Sequence, residues 1–145
     1  MKISTKGRYS LRMLLDLAEH KEDGYVALRD IAERQGISKK YLEQIVTLFN
    51  NTDFLRTNRG YQGGYMLAKE PRHYTVGEIL RVTEGSLSPV ACIEDDPNQC
   101  ERSGYCLTLP IWKGLGKVMS EYLNGITLQT IIDDYGGAGA DEYYI

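Results

Sequence analysis

Three cysteines, Cys92, Cys100 and Cys106, are the residues of this 145-residue chain whose type and spacing could do chemistry. They form C-x7-C-x5-C, three thiols within fifteen residues. Thiolates grouped in this way can wrap one soft metal centre, an iron–sulfur cluster or zinc. The spacing is neither the paired CxxC of a zinc ribbon nor the tight run of a ferredoxin. An odd cysteine count reads as a ligand set or redox site before a disulfide framework. The acidic run Glu94-Asp95-Asp96 should raise neighbouring thiol pKa values, which disfavours a bare reactive-thiol sensor. A bound metal would reverse that by holding the thiolates. A full ligand set needs a fourth member, and His20 and His73, the only histidines, read as exposed polar residues. With no Ser/His/Asp constellation, phosphate loop or paired acid–base site, the chain is not expected to be an enzyme.

The cysteines sit in a stretch from Ser86 to Gly104 that has no periodicity and holds Pro89 and Pro97. A connection this long in a small protein is usually functional or disordered, and the thiols favour function. It leads into a helix expected from about Leu107 to Asn124, closed by Gly125. There Leu109, Ile111, Trp112, Leu115, Val118, Met119, Tyr122 and Leu123 recur at intervals of three and four. With little of the chain left to cover that face, the helix is expected to form a homodimer interface. Thr127 then caps a short helix, 128–133, before a glycine-rich tail.

Upstream, a largely buried helix is expected from about Ser4 to His20, ended by Glu22-Asp23-Gly24. A two-turn helix, Arg29 to Gln35, stops at Gly36. Ser38 can cap the next helix, Lys39 to about Asn50, with Ile37 and Leu42 placed as a hydrophobic staple. A short helix, a glycine turn and a capped helix with a polar outer face form a helix-turn-helix. Strands at 54–57 and 65–67 flank the tip Asn58-Arg59-Gly60-Tyr61-Gln62-Gly63-Gly64, which reads as a wing. Thr75-Val76-Gly77-Glu78 is a capping box that opens a further helix to Glu84. The expected fold is therefore mainly α with a small β-hairpin: a winged helix-turn-helix carrying a long C-terminal dimerisation helix. Its parts are a DNA-binding module at 1–84, an effector loop at 85–106, and a dimerisation helix and tail at 107–145.

A helix in the major groove reads base edges with side chains near its N-terminus. Here those are Ser38, Lys39, Lys40, Tyr41, Glu43 and Gln44. Gln44 can pair with adenine and Glu43 can accept from the cytosine amino group, while Lys39 and Lys40 suit phosphates. Arg59, with Gln62 beside it, suits the strong negative potential of a narrow minor groove. Lys2, Lys6 and Arg8 surround the start of the first helix and can meet backbone phosphates. Charge is divided accordingly. Residues 1–64 carry eleven Lys/Arg against eight Asp/Glu, a net +3; residues 65–145 carry six against twelve, a net −6. A basic half beside an acidic half fits a DNA-facing module joined to an effector-facing one. No apolar run approaches the ~18 residues that cross a bilayer. The segment Met1–Arg8 lacks the apolar core of a signal peptide, so a cytoplasmic location with no membrane partner is expected.

Several segments carry a family resemblance. These are 1–9, Ile31-Ala32-Glu33-Arg34-Gln35-Gly36-Ile37-Ser38, Tyr41-Leu42-Glu43-Gln44 and Arg59-Gly60-Tyr61-Gln62-Gly63-Gly64-Tyr65. They resemble the Rrf2 family of winged-helix transcriptional regulators, and the likeness extends through Val76-Gly77-Glu78-Ile79 to Ile126-Thr127-Leu128. It implies a dimer built on the helix near Leu107–Asn124 that reads a palindromic operator. Glu43 would contribute sequence discrimination and Arg59 would enter the minor groove. The cysteines resemble the trio of IscR-like and NsrR-like members, which implies a 2Fe–2S or 4Fe–4S cluster. The first gap is longer than in IscR-like members, and Leu109 stands where they place a histidine ligand. Arg8 stands where some nitric-oxide sensors have an acidic ligand, so the fourth ligand is unassigned. The ending Tyr143-Tyr144-Ile145 is similar to the tail of CymR-like members, which implies cysteine synthase as a further partner. Two alternatives stand beside the cluster-controlled regulator. One is the same DNA module using its cysteines for zinc or thiol oxidation. The other is a small redox carrier, which would leave the helix-turn-helix and wing without purpose.

Overall fold

Ser4 turns the extended N-terminal segment into a helix by accepting a hydrogen bond from the Gly7 amide at 3.1 Å. The computed structural model describes residues 2–136; the tail Tyr143-Tyr144-Ile145 lies outside them. Helix α1 (Thr5–Glu19) turns Met13, Leu14, Leu17 and Ala18 into the core, with Tyr9, Leu11 and Leu15 half-buried at its edge. Helix α2 (Leu28–Gln35), α3 (Lys39–Leu48), the antiparallel pair β1 (Leu55–Asn58) and β2 (Gly64–Leu67), and α4 (Val76–Glu84) follow. The C-terminal part holds α5 (Leu109–Asn124) and α6 (Leu128–Ile131), the latter running into one wider turn to Gly136. The architecture is a winged helix-turn-helix, mainly helical with one two-stranded hairpin.

One core joins these elements. Ile31 of α2, Leu42, Ile45 and Val46 of α3, Phe49, Phe54, Leu67, Ile79 of α4 and Leu128 of α6 are all buried with the α1 residues. Helix α1 packs closely on α4. At Gly7 any added Cβ would run into the Glu84 carboxylate, with Leu80 and Thr83 at 3.2 Å. That carboxylate accepts from the Ser4 amide (3.2 Å) and hydroxyl (2.5 Å), tying the start of α1 to the end of α4. Helix α4 opens with the expected capping box, Thr75 and Glu78 each bonding the other's main-chain amide at 3.1 Å.

Two long-range connections had no signal in the sequence. Val26, just before α2, exchanges hydrogen bonds with Tyr65 at 2.8 and 2.9 Å, a single bridge that fastens it to the base of the wing. The backbones approach so closely there that a Cβ at Gly64 would collide with the Val26 carbonyl. The second connection brings the chain back after α5. The Val76 amide bonds Ile126 (2.8 Å) and the Leu128 amide bonds Tyr74 (3.0 Å), so fully buried Leu128 completes the core of the first module. The element ends also differ slightly from the periodicity. Helix α5 begins at Leu109, with Pro110 in its first turn and Leu107 exposed outside it. Helix α3 ends at Leu48, where Phe49 leaves helical geometry and caps it.

Tyr74 anchors the hinge between wing and α4. Its ring is fully buried and meets Phe54 edge-on at 5.4 Å. Its hydroxyl donates to the Phe54 carbonyl (2.6 Å) and accepts from the Lys69 amide (3.1 Å). Burial pushes the phenol above its ordinary range. Removing the hydroxyl in Tyr74→Phe is expected to cost about 1–3 kcal/mol at pH 7, because a buried carbonyl and an amide lose their partner. A phenol with a raised folded pKa stabilises fully below the ordinary phenol value, about 10, and that contribution disappears as pH rises through the folded value. Urea denaturation of both proteins at neutral pH and above pH 10 should therefore show the gap narrowing at the alkaline end.

Candidate nucleic-acid interface and thiol loop

Gly36 closes α2 with φ at 64°, a left-handed turn that glycine adopts without strain. Ile37 then drops into the core, and the Ser38 hydroxyl accepts from the Tyr41 amide at 3.1 Å to open α3. These local devices leave Ser38, Lys39, Lys40, Glu43 and Gln44 exposed on the outer face of α3. Lys39 and Glu43 lie 4.0 Å apart along it. Tyr41 is half-buried, its ring edge-on to Tyr9 with centroids 5.5 Å apart, so it also locks α3 to α1. That contact sets the first turns of α1, with exposed Lys6 and Arg8, beside the first turn of α3; Lys2 is exposed just before α1.

Neither α1 nor α3 has an acidic residue in its first turn, although carboxylates are the side chains a helix N-terminus favours. Basic residues stand there instead: Lys6 on α1, Lys39 and Lys40 on α3. At α1 the Glu84 carboxylate already faces the helix start through Ser4, whereas at α3 the helix dipole and Lys39 and Lys40 add to a positive field that an anion would relieve.

The wing tip is fully open. Arg59 and Gln62 are exposed, and Tyr61 is 96% exposed. Gln62 holds φ at 63°, a left-handed conformation that costs a residue other than glycine about 1 kcal/mol or more. Gly63 follows because a Cβ there would strike the Asn58 and Gly60 carbonyls. A cleft of about 390 Å3 runs between the wing and the starts of α2 and α3, lined by Arg29, Lys39 and Arg59 among others. The structure thereby brings the predicted reading helix and the predicted wing arginine to one concave surface. Arg29 was not anticipated. Its signal was a cation in the first turn of α2, where the helix dipole opposes it.

The cysteines are all free and half-buried. Cys92 lies in a 3₁₀ turn (Ala91–Ile93), Cys100 in the following loop and Cys106 just before α5. Asn98 spans the first two, donating to the Cys92 carbonyl (2.7 Å) and accepting from the Cys100 amide (2.8 Å). At Cys106 the thiol is held below its ordinary range. The Thr108 hydroxyl at 3.4 Å is the main cause, helped by the Thr108 and Leu109 amides and by Arg102. The expectation that the acidic run raises thiol pKa values fails at this cysteine. Glu94, Asp95 and Asp96 instead line a cleft of about 540 Å3 that also holds Arg81, Lys113 and Lys117. Three free thiols, one drawn towards thiolate, suit a soft metal centre in kind. In arrangement they do not: among the described residues, no three His, Cys, Asp or Glu side chains converge as a metal site. His20 is held by the Asp16 carbonyl at 2.7 Å, His73 is exposed in a 3₁₀ turn, and Leu109 is buried.

Residues 3–134 match the model of the Rrf2 family, described as an iron-dependent transcriptional regulator. The chain is 40% identical over 134 residues to protein rrf2 of Nitratidesulfovibrio vulgaris, covering 92% of this chain and 89% of that protein. Among solved structures it is similar to IscR from T. potens, with 37% identity and a TM-score of 0.75 over 100% of this chain and 97% of that one. It is also similar to CymR (YrzC), the global cysteine regulator of B. subtilis, with 36% identity and a TM-score of 0.75 over 92% and 97% of the two chains. The family model over residues 3–134, with relatives and solved structures of the same fold, places the chain in the Rrf2 family of DNA-binding transcriptional regulators, which are not enzymes.

Proposed function

We propose that this regulator binds a palindromic operator in the cytoplasm as a homodimer paired along α5, under the control of an iron–sulfur cluster held by Cys92, Cys100 and Cys106. The shared cleft carries the DNA part of this reading, because it aims Lys39, Arg29 and Arg59 at one ligand. In the proposed complex α3 enters the major groove, where Glu43 and Gln44 reach base edges from the exposed face. Ser38, Lys39, Lys40, Lys2, Lys6 and Arg8 take phosphates, with Tyr41 at the base of the reading face. Arg59 and Gln62 enter the adjacent minor groove. Selection from a randomised duplex pool tests this. The enriched sequences should contain an inverted repeat, as two-fold protein symmetry requires. Recovery of single, unrepeated sites would overturn the dimeric part.

The 85–106 loop supplies the sensor in this scheme, between the 1–84 module and α5. The thiol donor set and the likeness to IscR support the cluster. When bound, such a cluster would supply a one-electron or ligand-reactive centre. The chain's own part is to supply three sulfurs, with Asn98 tying the Cys92 and Cys100 segments together. Anaerobically purified protein is expected to be brown, with Cys100→Ala colourless. A second reading, a cluster-free regulator that holds zinc or senses thiol oxidation, draws on the unconverged thiols and the likeness to CymR. Colourless wild-type protein after cluster reconstitution, with one zinc per chain, would favour it.

A further inference from the structure

Arg12 is an exposed residue of α1. Its guanidinium holds three things at once. Nη2 donates to the main-chain carbonyl of Gln35, and Nε donates to the Gln35 side-chain oxygen at 3.2 Å. The same guanidinium lies over the Tyr9 ring, 5.1 Å from its centroid, and Tyr9 meets Tyr41 edge-on. Gln35 is the last residue of α2, so its carbonyl is one of those a helix C-terminus leaves unpaired, at the negative end of the dipole. Tyr41 stands in the first turn of α3. One side chain therefore grips the helix-turn-helix on both sides of its turn, the backbone before Gly36 and, through Tyr9, the ring after Ser38.

We infer that Arg12 is a positioning residue for sequence reading: it fixes the angle at which α3 leaves the turn, and so the aim of Glu43 and Gln44. The inference rests on the DNA-binding role given above. A lysine reproduces the grip poorly, because its ammonium has neither a planar face to stack on the ring nor donors fixed in a fork. Side chains that read base edges bidentately tolerate little misplacement. Loosening α3 should therefore penalise the chosen sequence and leave general attraction to the duplex intact.

The test compares wild type, Arg12→Ala and Arg12→Lys on two duplexes. One is the sequence that the wild-type protein selects from a randomised pool; the other is the same composition scrambled. Affinities are read from 50 to 200 mM salt, with thermal melting to confirm that each variant folds. Both variants should lose about tenfold on the selected duplex, little on the scrambled one, and Arg12→Lys should keep the wild-type salt dependence. If Arg12 simply touched a phosphate, Arg12→Ala would weaken both duplexes alike and flatten the salt dependence by about two charges, one per protomer, while Arg12→Lys would behave as wild type. That pattern, or unchanged discrimination in both variants, overturns the inference alone. Failure of the wild-type protein to select any sequence overturns the DNA-reading assignment and this inference with it.

Discussion

A glutamate at position 118 is expected to leave the protein monomeric and to weaken operator binding about a hundredfold or more. Among the described residues, Leu109 is the one side chain of α5 that is buried. Ile111, Leu115, Val118 and Tyr122 are 59%, 42%, 63% and 67% exposed. Their spacing of four, three and four residues puts them on one stripe over three turns, the pattern of a helix that pairs with another. The stripe stands clear of α4, which α5 meets through Arg81, bonded to Asn124 (2.9 Å) and Ser120 (3.2 Å). Placing a carboxylate in a paired apolar seam costs several kcal/mol of desolvation, whereas in an isolated chain Val118 faces water and its replacement disturbs nothing. A dimer binds the second half-site as an intramolecular event, and a monomer forfeits that advantage. Sedimentation and a binding titration of Val118→Glu measure both effects. A variant that still sediments as the wild type does would remove α5 as the interface.

Asp16→Ala should destabilise the module by about 3 kcal/mol, as much as truncating a large core side chain. The Asp16 side chain is 1% exposed. It accepts from Arg34 Nε (3.0 Å), Arg34 Nη2 (2.6 Å) and the Gln35 amide (3.0 Å), joining α1 to the last turn of α2. The same carboxylate raises the Arg34 pKa above its ordinary value, chiefly by accepting these hydrogen bonds. Truncation strands a guanidinium and an amide in a site shaped for an anion. Arg34 is 36% exposed and can recover some water, which keeps the loss at the low end of the range for broken buried pairs. Asp16→Asn keeps one acceptor and should fall between. Urea denaturation gives the numbers, and a loss under about 1 kcal/mol would mean that solvent already carries the pair.

How much of this was readable beforehand follows from the range of each interaction. Gly36, Ser38 with Ile37 and Leu42, and the Thr75–Glu78 box act within a few residues, and their types declare the turn or cap they make. The helix-turn-helix and wing were legible for that reason. The Val26–Tyr65 bridge, the return of Leu128 to the core and the Asp16–Arg34 pair join segments far apart, and periodicity holds no trace of them. The candidate site divides along the same line. The outer face of α3 and the wing tip follow from local pattern, whereas Arg29 joins the cleft only once α2 and the wing are folded together. The three cysteines were legible as free thiols, but whether their sulfurs meet depends on a loop whose geometry no neighbouring residue dictates.

The most direct measurement is the affinity for a duplex selected by the wild-type protein, set against its scrambled counterpart, as salt is raised from 50 to 200 mM. Five basic residues per chain, Lys2, Lys6, Arg8, Lys39 and Lys40, are assigned to phosphates. Two copies acting together should lose roughly a thousandfold or more in affinity over that interval while still preferring the selected sequence. Equal binding to both duplexes at every salt concentration, or binding indifferent to salt, would contradict the assignment of α3 and the wing as a paired duplex-reading surface.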